Sequence, residues 1–237
     1  MDVKHGIIFK RKHTWRDWGL VPTSRPVFNP PSVKTIYVDI PGADGKLDLT
    51  EDLNGCVNYE NRTGSFEFYV ANTKKWIAVY SEIMSYLHGK KLEAVLDDDI
   101  NYKYVGRFFV NNWKSGEYNS VITIDYDVEP YKIELSSSLE PWEWDSFNFE
   151  TGVIREYKEV LVNGTLDFVI PGTQKRIVPT IIADVTSGTM TVEFEGVNYQ
   201  IKNGENRIAQ MLIKEGENHL VFKGKGTISV DYRGGML

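Results

Sequence analysis

A mostly β fold in two parts is what this sequence predicts, and three observations predict it. Short runs rich in β-branched and aromatic residues recur along the chain. In the second half, turn-forming clusters interrupt them about every 8–12 residues. Only one stretch carries helical spacing. The expected architecture is a β-sandwich or barrel-like N-terminal domain with one α-helix near residues 73–88, followed by a C-terminal jelly-roll-like β-sandwich.

Residues 1–30 mix short apolar pieces such as Ile7-Ile8-Phe9 with Pro22, Pro26 and Pro30. Prolines at this density exclude a helix and favour an extended segment or a sheet edge. The basic run Lys10-Arg11-Lys12-His13, followed at once by Trp15, Asp17 and Trp18, reads as a solvated strand or arm. Residues 33–40 (VKTIYVDI) read as a strand, 41–46 as its turn and 47–50 as the alternating return. Residues 57–70 hold two more strand-like pieces, broken near Asn61-Arg62-Thr63-Gly64.

The helix follows. Asn72 or Thr73 can cap it, Trp76, Val79, Tyr80, Ile83 and Leu87 recur on one face, and Gly89 stands where a left-handed end is expected. Strands resume at 92–96, 102–110 and 121–128, with Asp97-Asp98-Asp99 and Lys114-Ser115-Gly116-Glu117 as turns. The Ser and Pro content of residues 135–141 marks a boundary. The chain therefore divides into a first domain (1–132), a linker (133–141) and a second domain (142–237). The second domain reads as about eight short strands, with Asn163-Gly164 as a two-residue hairpin turn and Gly224-Lys225-Gly226 as another turn.

Composition narrows the function classes. The chain has 27 basic and 33 acidic residues in 237, a net charge of −6, so a phosphate backbone meets an unfavourable overall field and nucleic-acid recognition is not expected. Cys56 is the single cysteine, which excludes an intrachain disulfide and a thiolate metal cage. No leader-like start and no apolar run of about 20 residues is present, so a membrane role is not expected, and synthesis in a reducing, soluble compartment is.

Catalytic patterns are missing. Gly42-Ala43-Asp44-Gly45-Lys46-Leu47 is too short for a phosphate-binding loop, and no Ser or Thr follows the lysine. His5, His13, His88 and His219 form no ligand-spaced pair. Asp97-Asp98-Asp99 lacks calcium-loop spacing and reads as a solvated turn. There is no nucleophile elbow, and the 33 acids give no basis for choosing a catalytic pair. No catalytic residue, metal or cofactor is assigned. One constellation could hold a sugar: in Pro141-Trp142-Glu143-Trp144-Asp145 the rings of Trp142 and Trp144 could stack on sugar faces while the acids accept hydroxyl bonds. The blander reading, that the two tryptophans seal the domain junction or the sandwich end, is preferred.

A set of short pieces, in order, carries a family resemblance. Trp18-Gly19-Leu20, Ser24-Arg25-Pro26 and Tyr37-Val38-Asp39-Ile40-Pro41-Gly42 open it, and Gly45-Lys46-Leu47-Asp48-Leu49-Thr50-Glu51 and Tyr59-Glu60-Asn61-Arg62-Thr63-Gly64-Ser65-Phe66 continue it. It runs on through Leu87-His88-Gly89-Lys90-Lys91, Leu96-Asp97-Asp98-Asp99 and Tyr104-Val105-Gly106-Arg107-Phe108 to Pro130-Tyr131-Lys132. Over residues 6–132 the chain resembles the distal tail proteins of siphophages and related prophages. The ending, Gly216-Glu217-Asn218-His219-Leu220 through Tyr232-Arg233-Gly234-Gly235, looks like the final strands of the jelly-roll domain such proteins often carry.

The resemblance implies a structural baseplate protein at the virion tail tip, made in the bacterial host cytoplasm and not an enzyme. It implies a hexameric ring of this chain, between the tail tube protein and a tail-associated lysin, fibre or receptor-binding protein. The second domains are expected to point outward, toward those proteins or a host cell-surface glycan. A ring needs one patch meeting a different patch on the next copy. The N-terminal arm and the hairpin carrying Asp39, Pro41, Gly42, Asp44, Lys46 and Asp48 are the expected interface. The alternative is a carbohydrate-binding protein acting through the C-terminal sandwich; a cell-wall polymer hydrolase ranks third.

Overall fold

The computed structural model describes residues 5–52, 55–71, 75–115, 120–140 and 157–237. The chain forms two compact units, Met1–Lys132 with Leu237, and Ile133–Met236. It is mostly β, as the sequence predicts.

In the first unit, strands β1 (Ile7–Phe9), β2 (Lys12–His13), β3 (Leu20–Pro22), β4 (Tyr37–Val38), β5 (Leu47–Asp48) and β6 (Arg62–Val70) precede helix α1 (Trp76–Leu87). Strands β7 (Lys90–Leu96), β8 (Tyr102–Ser115) and β9 (Ser120–Val128) follow it. All except β4 and β5 pair antiparallel into one curled half-barrel, in the order β2-β1-β7-β8-β9-β6-β3. Side-chain alternation builds its core. In β6, Phe66, Phe68 and Val70 are buried while Thr63, Ser65, Glu67 and Tyr69 are exposed; in β9, Ile122, Ile124, Tyr126 and Val128 are buried. Burying each such side chain contributes about 1.5–3 kcal/mol.

Helix α1 closes this core with Ile83 and Leu87, which have no exposed surface. Phe9 meets Phe108 edge-on at 4.9 Å, and Trp18 meets Tyr86 of the helix at 5.6 Å, its indole N–H donating to Glu82 at 3.2 Å. Gly89 takes the left-handed φ of 73° expected at the helix end. The expected caps, Asn72 and Thr73, lie outside the described residues. The basic run forms the β1–β2 hairpin, with Lys10 and Arg11 exposed at its tip and His13 buried beyond it.

Strand β10 (Lys132–Glu134) begins on the last residue of the first unit's main segment, and the second unit continues with β11 (Val160–Gly172), β12 (Thr180–Phe194), β13 (Val197–Ile201), β14 (Gly204–Asn206), β15 (Gly216–Asp231) and β16 (Gly235–Met236). Its main sheet runs β11-β15-β12-β13 with β14 beside β12, every pair antiparallel. The inner face carries Val162, Phe168, Ile170, Val192, Leu220, Phe222 and Ile228. The Ser-rich segment expected to link the domains lies in this unit. The Ser138 hydroxyl is buried, donating to Val230 O at 2.7 Å and accepting from Tyr232 N–H at 2.8 Å.

Two turns expected here are not turns. Asn163-Gly164 sits in the middle of β11, opposite Lys225 and Gly224 of β15. Gly164 (φ 94°) and Gly224 (φ 148°) bend the two strands together instead of reversing either one. Between Val185 and Thr191, β12 carries a bulged stretch and runs on as one strand. Fewer, longer strands result. The tight reversal falls instead at Glu195-Gly196 (φ 48° and 79°), a pair suited to a two-residue hairpin.

Candidate functional site

The β4–β5 ribbon is a two-stranded sheet of its own, with Tyr37 opposite Asp48 and Val38 opposite Leu47. Its turn is a glycine turn: Gly42 and Gly45 adopt φ of 83° and 75°, and Ala43 N–H donates to Ile40 O at 3.1 Å. At the base, Ile36 N–H donates to the Thr50 hydroxyl at 3.1 Å, and Leu49 N–H to Ile36 O at 2.8 Å. Asp48 accepts from Thr50 N–H at 2.9 Å, and the Thr50 hydroxyl and amide hold its carboxyl below the usual carboxylate range.

The ribbon is apolar without being buried. Ile36, Tyr37, Val38, Ile40 and Leu47 are 41–53% exposed, and they come from consecutive as well as alternate positions. Successive strand residues point to opposite faces, so both faces of the ribbon present apolar side chains. A lone two-stranded hairpin is marginal in water, and contiguous exposed apolar surface marks an interaction site.

Below the ribbon, the segments on either side of it, residues 29–36 and 55–62, form the two legs of an arm and pair with each other. Lys34 N–H donates to Asn58 O and Glu60 N–H to Ser32 O, both at 2.8 Å, and Val33 bridges Tyr59. Where the legs reach the half-barrel, Asn29 and Arg62 meet. Arg62 Nη1 donates to Asn29 O at 3.0 Å and Nε to Pro130 O at 2.7 Å. Asn29 N–H donates to the Tyr126 hydroxyl at 2.8 Å, and its side-chain amide to Thr63 O at 3.0 Å. Arg62 is 5% exposed, lies over the Tyr104 ring at 5.6 Å, and leaves Nη2 buried without a partner. Burial pushes its guanidinium below the ordinary arginine value.

The hairpin residues expected at the ring interface lie on or beside this ribbon. Asp39, Pro41, Gly42, Asp44 and Lys46 are exposed on or beside the ribbon turn, and Asp48 on β5. Lys46 stands 3.9 Å from Asp39, a solvated pair of little energetic weight. The apolar set beside them, Ile36, Tyr37, Val38, Ile40 and Leu47, escaped sequence reasoning because such a run reads as a buried strand. Trp142 and Trp144 lie outside the described residues. On the outward face of the second unit's sheet, Asp167 pairs with His219 at 3.0 Å and Glu193 with Lys223 at 2.9 Å, a charged surface without an exposed Trp, Tyr or Phe among the described residues. The Asp97-Asp98-Asp99 turn is engaged rather than solvated: Asp97 binds Gly6 N–H and His13, Asp98 binds His5 and Arg25, and Asp99 binds Lys132. No metal-ligand cluster occurs among the described residues.

No protein-family model and no curated protein matches this sequence. The fold does match a solved structure, that of the SPP1 Dit (gp 19.1) protein, described as a paradigm of the hub adsorption apparatus in phages infecting Gram-positive bacteria. The TM-score is 0.63 at 11% sequence identity, and the likeness covers 98% of this chain and 99% of the Dit chain. The similarity therefore spans both units and is one of fold.

Proposed function

We propose that this chain is a structural subunit of a bacteriophage tail tip, a distal tail hub without catalytic activity. In this reading copies of the chain assemble into a hexameric ring between the tail tube and the fibre, lysin or receptor-binding components. The β4–β5 ribbon supplies one of the two patches that a head-to-tail contact requires. The observation that carries the reading is a ribbon with apolar side chains on both faces, on a fold shared end to end with a phage hub protein.

A covered ribbon makes physical sense of its composition. Each large apolar side chain left in water forgoes about 1.5–3 kcal/mol relative to burial, so a set of five favours a complementary surface. A second copy is always available in an assembly of identical subunits. The test is light scattering across a concentration series, with negative-stain images of the largest species. Closed rings of uniform size are the expected result. A monomer at every concentration, alone and with tail-tube protein added, would overturn the reading.

A further inference from the structure

We propose that Arg62 is the positioning residue of the arm, a buried fork that locks both legs of the ribbon to the half-barrel and so aims the apolar surface. The inference rests on the reading of the ribbon as an assembly element, and deepens it by naming what holds the ribbon in place.

Arg62 occupies the first position of β6, where the second leg of the arm joins the sheet. Its side chain turns into the core and reaches across to the first leg at Asn29, while a second nitrogen of the same guanidinium holds Pro130 O. Three chain segments therefore meet on one planar group. A guanidinium can hold two carbonyls in different directions at once, because its donors are fixed in a fork. An ammonium is a point donor on a flexible stem and cannot reproduce that geometry.

The charge itself argues for a positioning role. A buried cation is costly unless paired, yet among the described residues Arg62 makes no ion pair with a carboxylate and keeps one buried nitrogen unbonded. An apolar residue would serve a core equally well. What it could not do is bind the Asn29 and Pro130 carbonyls together. Asn29 is fastened independently through Tyr126 and Thr63, and Pro30-Pro31 stiffen the step from Asn29 to the paired legs. The result is a rigid root for a ribbon whose large apolar side chains are left about half exposed.

Hydrogen exchange on the full chain tests this, comparing wild type with Arg62→Lys and Tyr126→Phe. The Lys34 and Glu60 amides report pairing of the legs, and the Ile122 and Ile124 amides report the sheet. Losing a hydrogen bond to a charged group should speed leg exchange by about tenfold or more in Arg62→Lys, with the sheet amides unchanged. Tyr126→Phe, which keeps the ring and removes only the acceptor for Asn29, should speed the same amides by a smaller factor. Unchanged leg amides, or a uniform rise across legs and sheet, would overturn the role. Light scattering on the same samples separates the two ideas. Rings that form normally from chains with loosened legs would sink the reading of the ribbon as the ring contact and leave the role of Arg62 standing. Loss of rings with fully protected legs would overturn the role of Arg62 alone.

Discussion

His13 Nε2 stands 3.1 Å from Asp97 Oδ2, across 84 positions of sequence. The other ring nitrogen accepts the backbone N–H groups of Trp15 and Arg16 at 3.0 and 3.1 Å, which places the imidazole proton on Nε2, facing the carboxylate. Asp97 also accepts Gly6 N–H at 2.7 Å. One carboxylate thus ties the start of the chain to the β7–β8 turn.

Replacing that carboxylate should therefore cost more than replacing its neighbour. Asp97→Ala leaves the buried His13 and the Gly6 amide without their acceptor, for a loss of about 1–3 kcal/mol. Asp98→Ala removes contacts to the more exposed His5 and Arg25, and should cost less than about 1 kcal/mol. Urea unfolding of both variants measures the difference. Equal losses would show that the His13 contact carries no special weight.

Acidification should weaken the first unit through two carboxylates besides Asp48 of the ribbon. His13 N–H holds Asp17 below the usual carboxylate range, and Arg25 followed by His5 does the same for Asp98. A depressed folded value means that the unfolded chain binds the proton first, so both contributions are complete above the ordinary aspartate value of about 3.9. They are lost as pH falls below it, through the folded values. Urea midpoints between pH 7 and pH 2.5 should show this loss, with a shallower slope in Asp17→Asn and Asp98→Asn. Identical slopes in variants and wild type would refute the assignment.

Where neighbouring residues decide the local structure, the sequence was a good guide. The helix from Trp76 to Leu87 and its glycine end were legible because the apolar spacing and Gly89 act within a few residues. The β4–β5 turn was legible for the same reason. Asn163-Gly164 misled because the pair favours left-handed backbone whether the chain reverses or merely bends, and only the partner strand decides. The acids at 97–99 looked solvated because their partners lie at residues 5, 6, 13, 25 and 132. The apolar ribbon was invisible for a related reason: a run such as Ile36-Tyr37-Val38 looks the same whether its partner is the same chain or another.

Backbone proximity makes Gly106 a sharp test of the half-barrel. A Cβ there would stand 2.3 Å from both Asp127 O and Val128 Cα on β9, backbone atoms that no rotamer change can move. Gly106→Ala should cost at least about 1–3 kcal/mol, the usual range for overpacking. Gly164→Ala meets open space and is strained only by its φ of 94°, at a cost of about 1–2 kcal/mol. Thermal melts should show a substantial loss for both, with the first unit unfolding early only in Gly106→Ala. A neutral Gly106→Ala would mean that β8 and β9 are farther apart than described.

The ribbon offers the cleanest separation of stability from assembly. Tyr37, Val38 and Leu47 are 53%, 43% and 46% exposed, so charging them disturbs no core. Tyr37→Asp and Val38→Asp should leave urea unfolding of the monomer within about 0.5 kcal/mol of wild type. The same changes place a carboxylate in an apolar contact if a second copy covers the ribbon, and a buried unpaired charge is among the costliest defects an interface can carry. If the ribbon makes the proposed ring contact, light scattering should then show monomers at concentrations where wild type is assembled. Rings that persist in both variants would assign the contact to another surface, and a large loss of monomer stability would show that the ribbon packs within its own chain.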